Sequence, residues 1–223
     1  MVPIANIFST LSDFPPFPSM ILFTCGCNLR CKYCHNFQLL DASQLPTLDL
    51  DQVSAYLDRC REFADGLVVS GGEPTIHQYD SDFMHFLCTE SKHFLLKLDS
   101  NGTIPIHEEF LDLFYGVSIT LKPITYYNKE SNIFKVVDNI KNINEHCSYK
   151  ELRVTMVDDV DFRKGLDYIF QYLDDGWKIT LNKAIKVETG TLDDDWNECN
   201  AYDIERLQEW IQNKTNLQVQ ISI

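Results

Sequence analysis

The stretch GCNLRCKYCHN, Gly26 to Asn36, places three thiols, Cys27, Cys31 and Cys34, in the spacing C-x3-C-x2-C. Thiolates act as nucleophiles, pair as disulfides or bind metal. A nucleophilic site needs only one of them, and three thiols cannot all pair. A structural zinc site takes four ligands, usually two close pairs separated by a longer loop. Here the fourth would have to be Cys25 or His35, each so near a ligand already counted that the backbone cannot easily wrap a tetrahedron. An iron–sulfur cluster fits the spacing better, because short cysteine loops commonly hold one. Three ligands on a four-iron cube leave one iron open, and an open metal position is where substrate or cofactor binds. A zinc-stabilised interaction module stands as the alternative of another class.

The rest of the chain has to position that loop. With 223 residues it is long enough for one large domain with a full core, and residues 1–223 are read as a single domain. The net charge of -14 argues against a broad basic face for nucleic acid. MVPIANIFSTLSDFPPFPSM has no basic segment leading into an apolar run, so it does not read as a signal peptide. The apolar runs fall far short of the ~20 residues that cross a bilayer. The expectation is a cytoplasmic protein without a membrane partner. In that compartment, clustered cysteines among the eight are metal ligands or catalytic groups rather than disulfides.

After FPPFP (Phe14 to Pro18), which reads as an extended lead-in, β-type runs alternate with amphipathic ones. Strands are predicted at Ser19–Thr24, Leu67–Ser70, His93–Asp99, Gly116–Lys122, Lys150–Val157 and Lys178–Asn182. The final LQVQISI is also strand-like. Helices are predicted at Leu50–Phe63, Asp80–Lys92, Glu108–Phe114, Asn132–Glu145, Phe162–Leu173 and Ala201–Lys214. This alternation predicts an α/β fold, a parallel sheet with helices outside it. Six such units suggest a partial, open (β/α)6 barrel rather than a closed barrel of eight.

Side chains at i and i+2 share a strand face. Leu96, Leu98, Val117, Ile119, Leu152, Val154, Ile179 and Leu181 fall on faces that outer helices can cover. Lys97, Asp99, Ser118, Thr120, Lys122, Arg153, Thr155 and Asn182 fall on the opposite faces, where an ordinary barrel would carry Val, Ile and Leu. Buried charge needs a partner, so this pattern predicts a wet cavity for a polar ligand. For Arg153 two readings stand: a contact to a carboxylate of cofactor or substrate, or an ion pair with Glu151 or a nearby acid.

Cys27-x3-Cys31-x2-Cys34, with aromatic Tyr33 before the last cysteine, resembles the cluster motif of the radical S-adenosylmethionine superfamily. Ser70-Gly71-Gly72-Glu73-Pro74, after the second predicted strand, resembles its GGEP segment. There two glycines would let a ligand approach the backbone, Pro74 would end the strand, and Glu73 would accept from the ligand's ammonium. SDFP (Ser12–Pro15), FTCGCNLRCKYCHN (Phe23–Asn36), SGGEPT (Ser70–Thr75) and KLDSNG (Lys97–Gly102) follow one another as in glycyl radical enzyme activating proteins. The match is closest to the anaerobic ribonucleoside-triphosphate reductase activating protein family.

That resemblance implies one [4Fe-4S] cluster on Cys27, Cys31 and Cys34 and S-adenosyl-L-methionine chelated to the open iron. One-electron reduction from a flavodoxin or ferredoxin would release a 5′-deoxyadenosyl radical that abstracts hydrogen. It places Tyr33 and His35 beside the adenine and Gly71, Gly72 and Glu73 at the methionine moiety. Asp99 would lie near the cofactor and a monovalent cation site. Lys122 matches the lysine of a D-x-K segment whose aspartate is here Thr120. The implied partner is a glycyl radical enzyme, an anaerobic ribonucleotide reductase. The second enzyme reading keeps the radical and acts on a small molecule or peptide. Cys60 and Cys88 are expected as small core residues, and the acidic runs Asp158–Asp161 and Asp193–Asp195 as solvated turns.

Overall fold

The computed structural model describes residues 2–122, 131–158, 162–186 and 196–222. Leu96, Leu98, Val117, Ile119, Leu152, Val154, Ile179 and Leu181 are all buried. On the opposite faces Lys97 and Ser118 are buried too, while Asp99, Thr120, Arg153, Thr155 and Asn182 are part-exposed. The strands are β1 (Ile4–Thr10), β2 (Ser19–Thr24), β3 (Gly66–Gly71), β4 (Leu95–Ser100), β5 (Gly116–Leu121), β6 (Tyr149–Met156), β7 (Trp177–Lys183) and β8 (Gln218–Ser222). They form one eight-stranded sheet in chain order. The pairings β2–β3, β3–β4, β6–β7 and β7–β8 are parallel, and β1–β2 is antiparallel. The fold is the α/β open sheet expected, with a strand added at the front.

The helices are α1 (Leu50–Asp58), α2 (Ser81–Glu90), α3 (Glu108–Leu111), α4 (Ser131–His146), α5 (Arg163–Phe170) and α6 (Ala201–Gln212). Most end earlier than their apolar periodicity suggests. After α1 the chain continues in turns through Phe63, and Cys60 packs there rather than on the helix. Asp49 starts α1 with both arms of a capping box: its carboxylate accepts from the Gln52 backbone N–H, and the Gln52 side chain accepts from the Asp49 N–H.

β1 was not anticipated. A register shift between Ile4 and Asn6 lets Ile4 and Ile7 both bury, and it erases the alternation that marks a strand. FPPFP is also not a straight lead-in. It lies in the bends and turns that return the chain from β1 to β2, with Phe14 fully buried. Cys88 is exposed, not a core residue, whereas Cys60 is buried as expected. Residues 159–161 and 193–195 of the two acidic runs lie outside the described residues. Among the described residues no helix is long and apolar enough to cross a membrane.

The chain divides into two compact units. The first holds residues 1–28, 36–100 and 106–117; the second holds 29–35, 101–105 and 118–223. The three-cysteine segment therefore changes unit between Cys27 and Cys31. In the second unit, Trp177 is buried and its indole N–H donates to the Asn144 side chain of α4 at 2.6 Å, fixing that helix against β7.

Asp49→Ala removes one arm of the α1 capping box and should cost about 1 kcal/mol of stability, read as a lower urea midpoint at unchanged slope.

Candidate functional site

In the first unit the site is built from three strand ends. β2 runs into Cys25, Gly26 and Cys27, β3 into Gly71, Gly72 and Glu73, and β4 into Ser100. The Gly72 N–H donates to the Thr24 carbonyl at 2.9 Å, and the Glu73 N–H donates to the Gly26 carbonyl at 2.8 Å. The Gly26 N–H in turn donates to the Leu39 carbonyl at 2.6 Å. The GGEP backbone is thus laid along the start of the cysteine loop. Gly71 has φ +126°, and a Cβ there would meet Thr24 backbone atoms at 2.3 Å. A Cβ on Gly72 would stand 1.9 Å from the Gly26 carbonyl oxygen. Here the glycines are required by the chain's own close approach.

Glu73 is 1% exposed. Its Oε1 accepts from the Ser100 hydroxyl at 2.8 Å, the Thr75 hydroxyl at 2.7 Å and the Thr75 N–H at 3.2 Å. Buried carboxylates persist only with such partners, and the three donors fix the direction of the second oxygen. Ser100 was not singled out from the sequence. Its signal is its place in LDSNG, one residue beyond Asp99.

Cys25 is buried between the two strand ends. Its N–H donates to the Pro3 carbonyl at 3.0 Å, and its own carbonyl meets His77 Nε2 at 2.8 Å. Burial pushes its thiol pKa up, which disfavours the thiolate that a metal requires. Lys97, fully buried on β4, donates to Asp99 at 2.7 Å and to the Asp13 carbonyl at 2.6 Å. The ammonium that faces Asp99 is therefore the chain's own.

In the second unit the Cys34 N–H donates to the Cys31 carbonyl at 3.0 Å, closing a tight turn that carries both thiols. Cys31 is buried, Cys27 and Cys34 are part-exposed, and all eight cysteines are thiols rather than disulfides. Tyr33 packs edge-on to Trp196 with ring centroids 6.2 Å apart, and the Lys122 ammonium lies 5.7 Å from the Tyr33 ring centre. His35 Nε2 meets the Ile185 carbonyl at 2.5 Å, so that nitrogen carries the proton.

Arg153 meets a carboxylate of the chain itself. Its Nε donates to Glu151 Oε2 at 2.9 Å. Glu151, 2% exposed, also accepts from the Ser118 hydroxyl and, at 2.6 Å, from Thr180. Of the two readings for Arg153, the ion pair is the contact seen. Alternation puts Glu151 on the Arg153 face, so this network was within reach of the sequence.

Among the described residues, no three His, Cys, Asp or Glu side chains are gathered around the position of one metal ion. A four-iron cube takes each thiolate on a different iron. Each unit by itself offers groups of the right type: the first has a thiol, Cys27, at a strand end and the buried Glu73 carboxylate, and the second has the Cys31 and Cys34 thiols on a tight turn.

Residues 21–121 match the Radical SAM superfamily. Over that segment, a little under half of its length, the chain is similar to radical SAM proteins. A Methanocaldococcus jannaschii protein provisionally named a glycyl-radical enzyme activating enzyme is 36% identical over 93 residues, covering 42% of this chain and 37% of that protein. The 7-carboxy-7-deazaguanine synthase of Aquifex aeolicus is 28% identical over 138 residues, covering 60% of each. The chain thus spans between 37% and 60% of these relatives' lengths. Among solved structures, QueE from Escherichia coli matches with a TM-score of 0.61 at 17% identity, over 99% of this chain and 93% of that one. SuiB from Streptococcus suis, solved with S-adenosylmethionine, matches at 0.63 and 14% identity, over 88% of this chain and 48% of that one. Both support the open, mostly parallel α/β sheet as the fold.

Gly72→Ala should force the β3 turn away from Gly26 and cost about 1–3 kcal/mol or more, seen by urea unfolding of the metal-free chain. A second test concerns Glu198, whose carboxyl pKa is lowered by the Lys186 backbone N–H and then by Lys183. A depressed folded pKa adds stability above the ordinary value of 4.5, and that stability is lost as pH falls through the lower folded value. The stability difference between wild type and Glu198→Gln should therefore be present at pH 7 and shrink below pH 4.5.

Proposed function

We propose that this chain is a radical S-adenosylmethionine enzyme holding one [4Fe-4S] cluster on Cys27, Cys31 and Cys34. The observation that carries this reading is the buried Glu73 carboxylate, oriented by Ser100 and Thr75 and tied through its own N–H to Gly26, one residue before Cys27. When bound, the cluster and its cofactor would supply the radical chemistry of hydrogen abstraction. The chain's own residues bind and orient. Glu73 receives the ammonium of the methionine moiety, and the Gly71–Gly72 backbone lies alongside it. Tyr33 and His35 border the adenine, with the Lys122 ammonium over the Tyr33 ring. Asp99, neutralised by Lys97, faces the same strand ends, where a monovalent cation is the remaining expected component. Arg153, set by Glu151, offers a guanidinium to an anionic group.

For the substrate we favour a backbone glycine of a partner enzyme, an anaerobic ribonucleotide reductase, with flavodoxin or ferredoxin as reductant. Support comes from the run of activase-like segments between Ser12 and Gly102 and from the similarity to the Methanocaldococcus jannaschii protein. One observation favours the second reading, a small-molecule substrate. The Aquifex aeolicus synthase aligns over a longer stretch than the activase relative does.

The test is anaerobic reconstitution with iron and sulfide, reduction, addition of S-adenosylmethionine and chromatography for 5′-deoxyadenosine. Product should form with wild type and be lost in Cys27→Ala. A fully loaded cluster that yields no product would sink the radical reading. Adding a candidate glycyl radical enzyme should then give a glycyl doublet by electron paramagnetic resonance. Cofactor cleavage without that doublet would favour the small-molecule substrate.

A further inference from the structure

The two residues that flank Cys34 each meet a residue downstream of β7. Tyr33 meets Trp196, and His35 donates to the carbonyl of Ile185. The described residues around these two are themselves anchored. Glu198 accepts from the Lys186 N–H at 2.5 Å and pairs with Lys183 at 2.9 Å. The Ala184 N–H donates to the Met156 carbonyl at 2.9 Å, and the Asp158 N–H donates to the Asn197 carbonyl at 3.0 Å. Tyr33 and Trp196 are both nearly buried, and each ring has an ammonium on it, Lys122 on the first and Lys186, at 5.4 Å, on the second. The loop turn is thus braced from the ends of β6 and β7.

We propose that Trp196 is a positioning residue for the cysteine loop. Through Tyr33, and together with the Ile185 carbonyl on His35, it fixes the direction of Cys34 and the orientation of the two side chains that border the adenosine part of the cofactor. The physical ground is pre-organisation. A turn whose neighbours are already held loses less freedom when its thiolates take up metal, and partners that orient ligands commonly govern site affinity. The role proposed for Trp196 is exerted through Tyr33, not on a reacting atom. This inference rests on the radical S-adenosylmethionine reading.

The first measurement uses the metal-free chain: alkylation rates resolved cysteine by cysteine by mass spectrometry. In Trp196→Ala, Cys31 and Cys34 should react about three- to tenfold faster, the span of one lost aromatic pair, while exposed Cys88 keeps its rate. Trp196→Phe should restore slow labelling. Glu198→Gln, which keeps the indole and loosens its anchor, should shift the same two thiols in the same direction. The second measurement is anaerobic equilibrium dialysis of S-adenosylmethionine against protein of matched iron content. Trp196→Ala should bind about tenfold more weakly, and Trp196→Phe close to wild type. Unchanged labelling of Cys31 and Cys34 in both Trp196→Ala and Glu198→Gln overturns the proposal. So does faster labelling with unchanged cofactor affinity, which would make Trp196 a packing residue only. Wild type that takes up no cluster or cofactor defeats the functional reading, and this inference with it. Failure of the inference alone appears only in the variants.

Discussion

The contact on which the first half of the site depends is one backbone hydrogen bond, from the Glu73 N–H to the Gly26 carbonyl. It is made where β3 runs past the end of β2, and it exists only because Gly71 and Gly72 have no side chains. With it formed, the backbone of the buried Glu73 is held against Gly26, the residue before Cys27. Ser100 and Thr75 then hold that carboxylate in one direction. Burying an acid without such donors is costly, because nothing replaces the water it gives up. The parallel pairing of β2, β3 and β4 is what brings the three contributing segments to the same end.

Charge is handled locally in both units. Lys97 and Asp99 are neighbours on one face of β4 and neutralise each other. Arg153 and Glu151 do the same on β6, with Ser118 and Thr180 completing the acceptor needs of the buried acid. Both are i, i+2 pairs within a strand, so no loop has to order before they can form. In an acidic chain of net charge -14, these embedded cations keep the polar strand faces from becoming uniformly negative.

The cysteine spacing, the GGEP turn and the strand rhythm were legible because each is local: a spacing, a glycine pair, a period of two. Lys97 and Arg153 were placed on the correct faces by that period alone. Ser100, Trp196 and the Ile185 carbonyl were not legible. Ser100 serves Glu73 across 27 positions and Ile185 serves His35 across 150, and no local pattern marks such pairs. β1 was hidden for a different reason, since its bulge breaks the alternation by which a strand is recognised. Helix ends were overrun because apolar residues continue into the turns that follow them, as Cys60 does after α1.

The glycine pair of GGEP also limits what that motif can diagnose. Both residues are demanded by the polypeptide itself, since a side chain at either would strike backbone atoms of Thr24 or Gly26. A descendant of this fold that had lost its cofactor would still need them to close the sheet end. In such a protein Gly71 and Gly72 would persist as architecture, while Glu73, Ser100 and the three thiols would be released to vary. On the proposed function, the acid and its hydroxyl partner, rather than the glycines, are therefore the residues whose presence would separate a working catalyst from a relic of one.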